Sequence, residues 1–144
     1  MIVKTTKFHG VLLVQPPTVH EDFRGSYLEV YNKKLYQEAG IPVGFVQDDI
    51  SVSYRNVLRG IHGDDRTWKL VSCSAGRIYQ VVVDYQADSP TFLQWESFVL
   101  SDDNHNQVLI PPGYGNGVLV MSEVATFAYK QSSYYEGAGK QFTL

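Results

Sequence analysis

The sequence predicts an all-β fold, a β-sandwich or a jelly-roll barrel with one short helix. Ten tyrosines among many valines supply aromatic and β-branched residues. They gather in short runs, and turn-forming clusters separate the runs. In chain order the strands fall at Gly10–Gln15, Tyr27–Val30, Phe45–Ser53, Val57–His62, Trp68–Ser74, Arg77–Asp84, Leu93–Leu100, Gln107–Ile110, Gly117–Met121 and Ala125–Gln131. The punctuation is Asp22-Phe23-Arg24-Gly25, Ala75-Gly76, Ala87-Asp88-Ser89-Pro90, Ser101-Asp102-Asp103-Asn104 and Pro111-Pro112-Gly113-Tyr114-Gly115. Asn32–Gly40 is the one convincing helix, with Gly40 as its stop. Many short strands and one small helix bury their apolar faces by packing sheet on sheet, and a barrel of this kind can enclose a ligand cavity.

A chain of 144 residues is expected to form one domain with a core of its own. The net charge of −3 argues against nucleic acid or membrane as the main partner, while leaving room for an anionic small molecule held by a few arginines. Cys73, in the apolar run Leu70-Val71-Ser72-Cys73, is the only cysteine and reads as a buried structural thiol. The segment Met1–Lys7 is too short and polar for a signal peptide, and no apolar stretch approaches membrane-spanning length. The cytoplasm is the expected compartment.

Strand alternation assigns faces. Ala125, Phe127 and Tyr129 share one side of the last strand, and Thr126, Ala128 and Lys130 the other. Tyr129 thus stands on an apolar face, either plain core or a cavity wall. On Arg77–Asp84 the residues Ile78, Gln80, Val82 and Asp84 share a side, and two polar groups there favour a lined pocket over a sealed core. Trp68 and Trp95 read as packing residues, and Tyr134-Tyr135 as a cover for a pocket mouth or a cap at a dimer contact.

The residues that suggest chemistry are His62, ending the run Leu58-Arg59-Gly60-Ile61-His62, then Lys69, and Tyr129 in the last strand. An imidazole, an ammonium and a phenol suit the removal of a proton from carbon beside a ketone. That reaction needs a base titrating near neutrality, a cation for the enolate oxygen and a weak acid to return the proton.

Several stretches, in order, resemble the dTDP-4-dehydrorhamnose 3,5-epimerase family of nucleotide-sugar enzymes. They are Asp22-Phe23-Arg24-Gly25 with Glu29, Phe45-Val46-Gln47-Asp48-Asp49, and Ser51 and Ser53 with Asn56-Val57-Leu58-Arg59-Gly60-Ile61-His62. Lys69-Leu70-Val71, Val82-Val83-Asp84, Asp88-Ser89-Pro90-Thr91-Phe92, Ile110-Pro111-Pro112-Gly113-Tyr114 and Tyr129-Lys130 follow. The resemblance implies a cupin-type jelly roll, usually dimeric, acting without metal or cofactor on nucleoside-diphosphate 4-keto sugars at C3, C5 or both. It implies His62 as general base, Lys69 as partner of the enolate oxygen and Tyr129 as the acid on the opposite face. Arg59 and Arg24 would hold the diphosphate, with Arg24 reaching a partner subunit's site, and Glu29 and Gln47 would surround the nucleoside. Metal-binding cupins and the related sugar ketoisomerases carry a histidine pair one residue apart at a strand end. Here Gly63 and Asp64 follow His62, and His9, His20 and His105 lie elsewhere, so no metal is expected.

Three departures from the pattern stand out. Asn116 occupies the place of a substrate-binding histidine, so an amide replaces a group that can carry charge. Asp49 stands where the rhamnose-pathway enzymes have an asparagine near the nucleoside, which suggests a different base or a remodelled pocket. Both His62-Gly63-Asp64 and the Gly113–Asn116 turn look more like epimerases of nucleotide-activated heptoses or other surface-polysaccharide sugars. Finally, the sequence stops at Gln141-Phe142-Thr143-Leu144, where typical members continue with the aspartate that pairs with the catalytic histidine. His62 is then expected to find another partner, such as Asp84 or Asp64, or to work as a weaker base. The alternative reading is a non-catalytic member that binds nucleotide sugar or pairs with a full-length homologue.

Overall fold

The structure is a computed structural model and describes residues 1–16 and 19–144. In chain order the elements are β1 (Ile2–Thr5), β2 (Leu12–Gln15), β3 (Val19–Asp22), β4 (Gly25–Leu28), α1 (Lys33–Glu38), β5 (Gln47–Tyr54), β6 (Leu58–Gly63) and β7 (Lys69–Ala75). They continue with β8 (Arg77–Asp84), β9 (Trp95–Ser101), β10 (Gln107–Ile110), β11 (Tyr114–Val120), β12 (Val124–Gln131), a 3-10 turn at Ala138–Lys140 and β13 (Phe142–Thr143). A six-stranded sheet in the order β1-β2-β10-β7-β12-β5 faces a five-stranded sheet in the order β13-β6-β11-β8-β9, and β3-β4 form a separate hairpin. The fold is an all-β, cupin-type jelly roll, as the strand-rich sequence predicts.

Alternation divides the six-stranded sheet between two packed layers. Val71 and Val108 point inward to the main core with Ile78, Val82, Leu100 and Val118. Their neighbours Leu70 and Leu109 point outward to a second cluster with Val14, Tyr36 and Ile41. Tyr36 is the buried residue of α1, so the helix covers the outer face over β2, β10 and β7. Asn32 caps it, its side-chain oxygen accepting from the Leu35 N–H at 3.3 Å, and Gly40 follows at a φ of 87°. The outer face of β12 and β5 has no such cover: Ile50 is 70% exposed and Tyr54 71%.

The predicted strands over 77–84 and 107–110 coincide with β8 and β10. Three strands escaped the sequence reading. β3 is exposed along its whole length, so it carries no burial alternation to read. β1 is an edge strand with mostly exposed residues, and β13 spans only Phe142–Thr143. The expectation of a pocket beside Gln80 and Asp84 is corrected. Ile78, Gln80, Val82 and Asp84 are all 0% exposed and line no cavity. Asp84 is satisfied locally, by the Ser89 hydroxyl, the Thr91 hydroxyl at 2.6 Å and the Gln86 N–H at 3.0 Å. Gln80 Nε2 donates to the Val81 carbonyl at 3.2 Å, while its Oε1 is buried without a partner. Burial pushes the Cys73 thiol up to about 11, in keeping with a structural role. Trp68 packs on the second cluster, whereas Trp95 is largely exposed. No helix among the described residues is long and apolar enough to cross a membrane.

Candidate active site

The two sheets part at one end of the barrel around a cavity of about 410 Å³, within the roughly 300–1,000 Å³ of small-molecule sites. Its six-stranded wall is ordered by ladder register. Gln47, Gln131 and Lys69 lie side by side across β5, β12 and β7, and Asp49, Tyr129 and Val71 form the next row. Ser51 and Phe127 follow, and one step further Ser53 pairs with Ala125. Alternation accounts for this wall, because residues two apart on each strand share the inner face. Tyr129 is therefore a cavity wall residue, packed against Phe127 with ring centroids 5.2 Å apart.

The five-stranded wall supplies Arg59, His62, Asn116 and Val118. Regular alternation would put Arg59 and His62, three positions apart, on opposite faces. The ladder prevents this by an irregularity: Asn116 pairs with His62 and Val118 with Arg59, so β6 carries one extra residue between them. Gly60 permits the bulge. Its φ is 102°, and a Cβ there would lie 2.6 Å from the Asn116 carbonyl oxygen and 2.7 Å from Gly117 Cα.

The polar groups are arranged for a ligand. Lys69 is 8% exposed and has no carboxylate within ion-pair distance among the described residues. Burial lowers its pKa, and the nearby Asp64 charge opposes that shift. Burial raises the Tyr129 phenol, with the Asp49 carboxylate adding to the effect, so it stays protonated at neutral pH. Asp49 Oδ2 accepts from Gln47 Nε2 and Gln131 Nε2, both at 2.7 Å. Arg59 Nε donates to Ser53 Oγ at 2.8 Å, and Asn116 Nδ2 donates to the His62 carbonyl at 3.2 Å. Ser51 Oγ is buried on the cavity wall without a partner, as a group awaiting a ligand would be.

Of the residues singled out in the sequence, His62, Lys69, Tyr129, Gln47, Asp49, Arg59 and Asn116 meet around this cavity. Gln47 and Asp49 stand beside Lys69 and Tyr129, about 13 Å along β5 from Ser53 and its Arg59 contact for Asp49, at about 3.3 Å per residue. They therefore occupy the end where the ammonium and phenol are. Arg24 and Glu29 do not line it. Arg24 lies at the exposed hairpin tip, paired with Asp22 at 2.6 Å. The expected partners of His62 are also corrected. Asp84 is spent on Ser89, Thr91 and Gln86, and Asp64 on the N–H groups of Arg66 at 3.0 Å and Thr67 at 2.6 Å. The His62 Nδ1 instead meets Thr143 Oγ1 at 3.0 Å. Sequence reasoning quoted Ser51 within a motif without giving it a role and missed Gln131, although alternation through Asp49 and Tyr129 places both here. Tyr135 reaches the cavity rim, its N–H donating to Gln47 Oε1 at 2.9 Å.

Comparison with known proteins bears on all of this. A family model described as dTDP-4-dehydrorhamnose 3,5-epimerase matches residues 5–143. The dTDP-4-dehydrorhamnose 3,5-epimerase of Salmonella typhimurium is 43% identical over 139 residues, covering 94% of this chain and 75% of its own. The crystal structure of dTDP-6-deoxy-D-glucose-3,5-epimerase from Legionella pneumophila, in complex with dTDP-4-keto-L-rhamnose, superposes with a TM-score of 0.92 at 38% identity, over 99% of this chain and 77% of that one. A 3'-monoepimerase from Streptomyces bikiniensis in complex with dTDP-quinovose gives a TM-score of 0.89 at 29% identity, over 96% and 71%. The family model and the relatives match along nearly the whole length of the chain, and the chain belongs to the dTDP-4-dehydrorhamnose 3,5-epimerase family.

Proposed function

We propose that this protein is an isomerase that epimerises a nucleoside-diphosphate 4-keto sugar beside its ketone, in the synthesis of deoxysugar or surface-polysaccharide precursors. The observation that carries the reading is the meeting of His62, Lys69 and Tyr129, from three strands of two sheets, around one cavity. Relatives of the same family have been crystallised with dTDP-sugars. His62 takes the proton from the carbon next to the carbonyl. The electron pair of the broken C–H bond moves onto the carbonyl oxygen, and the Lys69 ammonium stabilises that charge. The Tyr129 phenol then delivers a proton to the carbon from its own wall. The enolate is a far stronger base than a phenolate, so a raised phenol pKa does not prevent the transfer. Solvent removes the proton from the imidazolium and reprotonates the phenolate. No electron leaves the substrate, so the step calls for no redox cofactor.

Arg59, three positions from His62 on the same strand, is the group we assign to the diphosphate, and Asn116, Gln47 and Asp49 to substrate hydroxyls. We further propose a homodimer. The uncovered face of β5, with Ile50, Val52 and Tyr54, offers the apolar contact, and the β3–β4 hairpin projects with Phe23 97% exposed. Arg24 and Glu29 lie outside the lining of the active-site cavity of their own protomer and would serve the partner's.

Incubation with a nucleoside-diphosphate 4-keto-6-deoxy sugar in heavy water tests the reading. NMR should show deuterium entering at C3, C5 or both, with entry abolished in His62→Asn and strongly reduced in Tyr129→Phe. A lack of exchange across several nucleotides and sugars would overturn it.

A further inference from the structure

β8 holds an amide that its packing does not call for. Gln80 is 0% exposed and shares its face with the core residues Ile78 and Val82, and its Oε1 has no partner among the described residues. An apolar side chain of similar length would spare the core that orphaned acceptor, so burial alone does not account for the amide. Its nitrogen is the engaged end. β8 and β11 run antiparallel with Gln80 opposite Val118 and Val82 opposite Asn116, which makes Gln80 and Asn116 diagonal neighbours on one face. Gln80 Nε2 donates to the Val81 carbonyl at 3.2 Å and to Asn116 Oδ1 at 3.4 Å. Asn116 Nδ2 in turn donates to the His62 carbonyl at 3.2 Å, on the strand that flanks β11 from the other side.

We infer that Gln80 is the positioning residue of Asn116: from behind the cavity wall it holds the Asn116 oxygen, so that the amide faces the substrate as a neutral N–H donor. This rests on the epimerase reading given above. The direction of both amides follows from the two backbone carbonyls at the ends of the relay. A carbonyl only accepts, so the His62 carbonyl requires the nitrogen of Asn116 on its side and turns Oδ1 toward β8. The Val81 carbonyl likewise requires the nitrogen of Gln80, and Oδ1 needs that same donor. Reversing Gln80 alone would set oxygen against oxygen at both of its contacts, and reversing both amides would do so at both carbonyls. The second Nδ2 hydrogen of Asn116, a residue of the cavity lining, is left for an acceptor oxygen of the sugar. Without the Gln80 donor, Oδ1 loses the partner that keeps it behind the wall, and the amide can turn either end to the substrate.

Gln80→Met, which keeps the length and removes the amide, tests this by stability, kinetics and a spectroscopic signature. Its thermal midpoint should equal or exceed that of the wild type, because the orphaned oxygen leaves the core with the amide. KM for a nucleoside-diphosphate 4-keto-6-deoxy sugar, read from deuterium entry into the substrate, should rise about fivefold, the equivalent of one neutral hydrogen bond. The rate at saturation should change little, since the contact is made in the ground state as well. In an Asn116→Ala background the same substitution should leave KM where Asn116→Ala put it. The side-chain amide resonances of Asn116, identified by their loss in Asn116→Ala, should shift in Gln80→Met and their hydrogens should exchange faster with solvent. An unchanged KM, a rise that persists in the Asn116→Ala background, a midpoint well below the wild type, or unmoved amide resonances would each overturn the inference. Absence of deuterium entry with the wild type would defeat the epimerase reading instead, while the amide resonances still decide the role of Gln80.

Discussion

Replacing Lys69 by methionine separates a catalytic ammonium from a structural one. Methionine has nearly the same length and removes only the charge and its donors. At about 3 Å from an enolate oxygen, in a site with an effective dielectric of about 20, an ammonium contributes about 5.5 kcal/mol of gross Coulomb attraction. Water entering the cavity recovers part of that, and removal of a comparable oxyanion donor costs about 2.7–4 kcal/mol, or about 10²–10³ in rate. Deuterium exchange in Lys69→Met should fall by that factor. Stability should move the other way. Burial holds the Lys69 pKa below its ordinary value, so at neutral pH the protonated amine disfavours the folded state. That cost is fully present below the folded-state pKa and fades as pH rises toward the unfolded value near 10.4. The thermal midpoint of Lys69→Met should therefore equal or exceed that of the wild type at pH 7, with the gain shrinking in alkaline buffer. A rate loss under about tenfold would refute the assignment to the enolate oxygen. So would a fall in midpoint of more than about 3 °C, which for a chain of this size is about 1 kcal/mol and would signal a structural role.

Two other perturbations test how the site is assembled. Gly60→Ala places a Cβ against two backbone atoms at a φ of 102°; it should cost roughly 2–5 kcal/mol in chemical denaturation and raise KM as Arg59 leaves the diphosphate end. Unchanged stability would mean that the β6 bulge is not needed to bring Arg59 and His62 to one face. Ile50→Lys sets a charge in the exposed apolar face of β5, where Ile50 is 70% exposed and Val52 57%. Sedimentation should show a wild-type dimer and a variant monomer with reduced exchange, because Arg24 of the partner would be lost. A monomeric wild type that exchanges at full rate would remove the proposal.

The two walls of the cavity differ in how far the sequence exposes them, for a physical reason. The six-stranded wall follows the two-residue period of a regular strand. Placing Tyr129 on the face of Ala125 and Phe127 was therefore enough to point it inward, and the same step places Gln131 and Ser51. Asp84 shows the limit of that logic: alternation put it correctly on the buried face, but Ser89 and Thr91 in the following turn satisfy it, and no period reports hydrogen bonds made by a loop. The five-stranded wall breaks the period where the chemistry needs it. Arg59 and His62 share a face only through the extra residue at Gly60–Ile61. That arrangement depends on a glycine whose local signal reads simply as a weak strand position. Gly60 is therefore better read as space reserved for β11, because a side chain there would meet the Asn116 carbonyl and Gly117 Cα. Stability and substrate affinity falling together in Gly60→Ala is the consequence that follows from it.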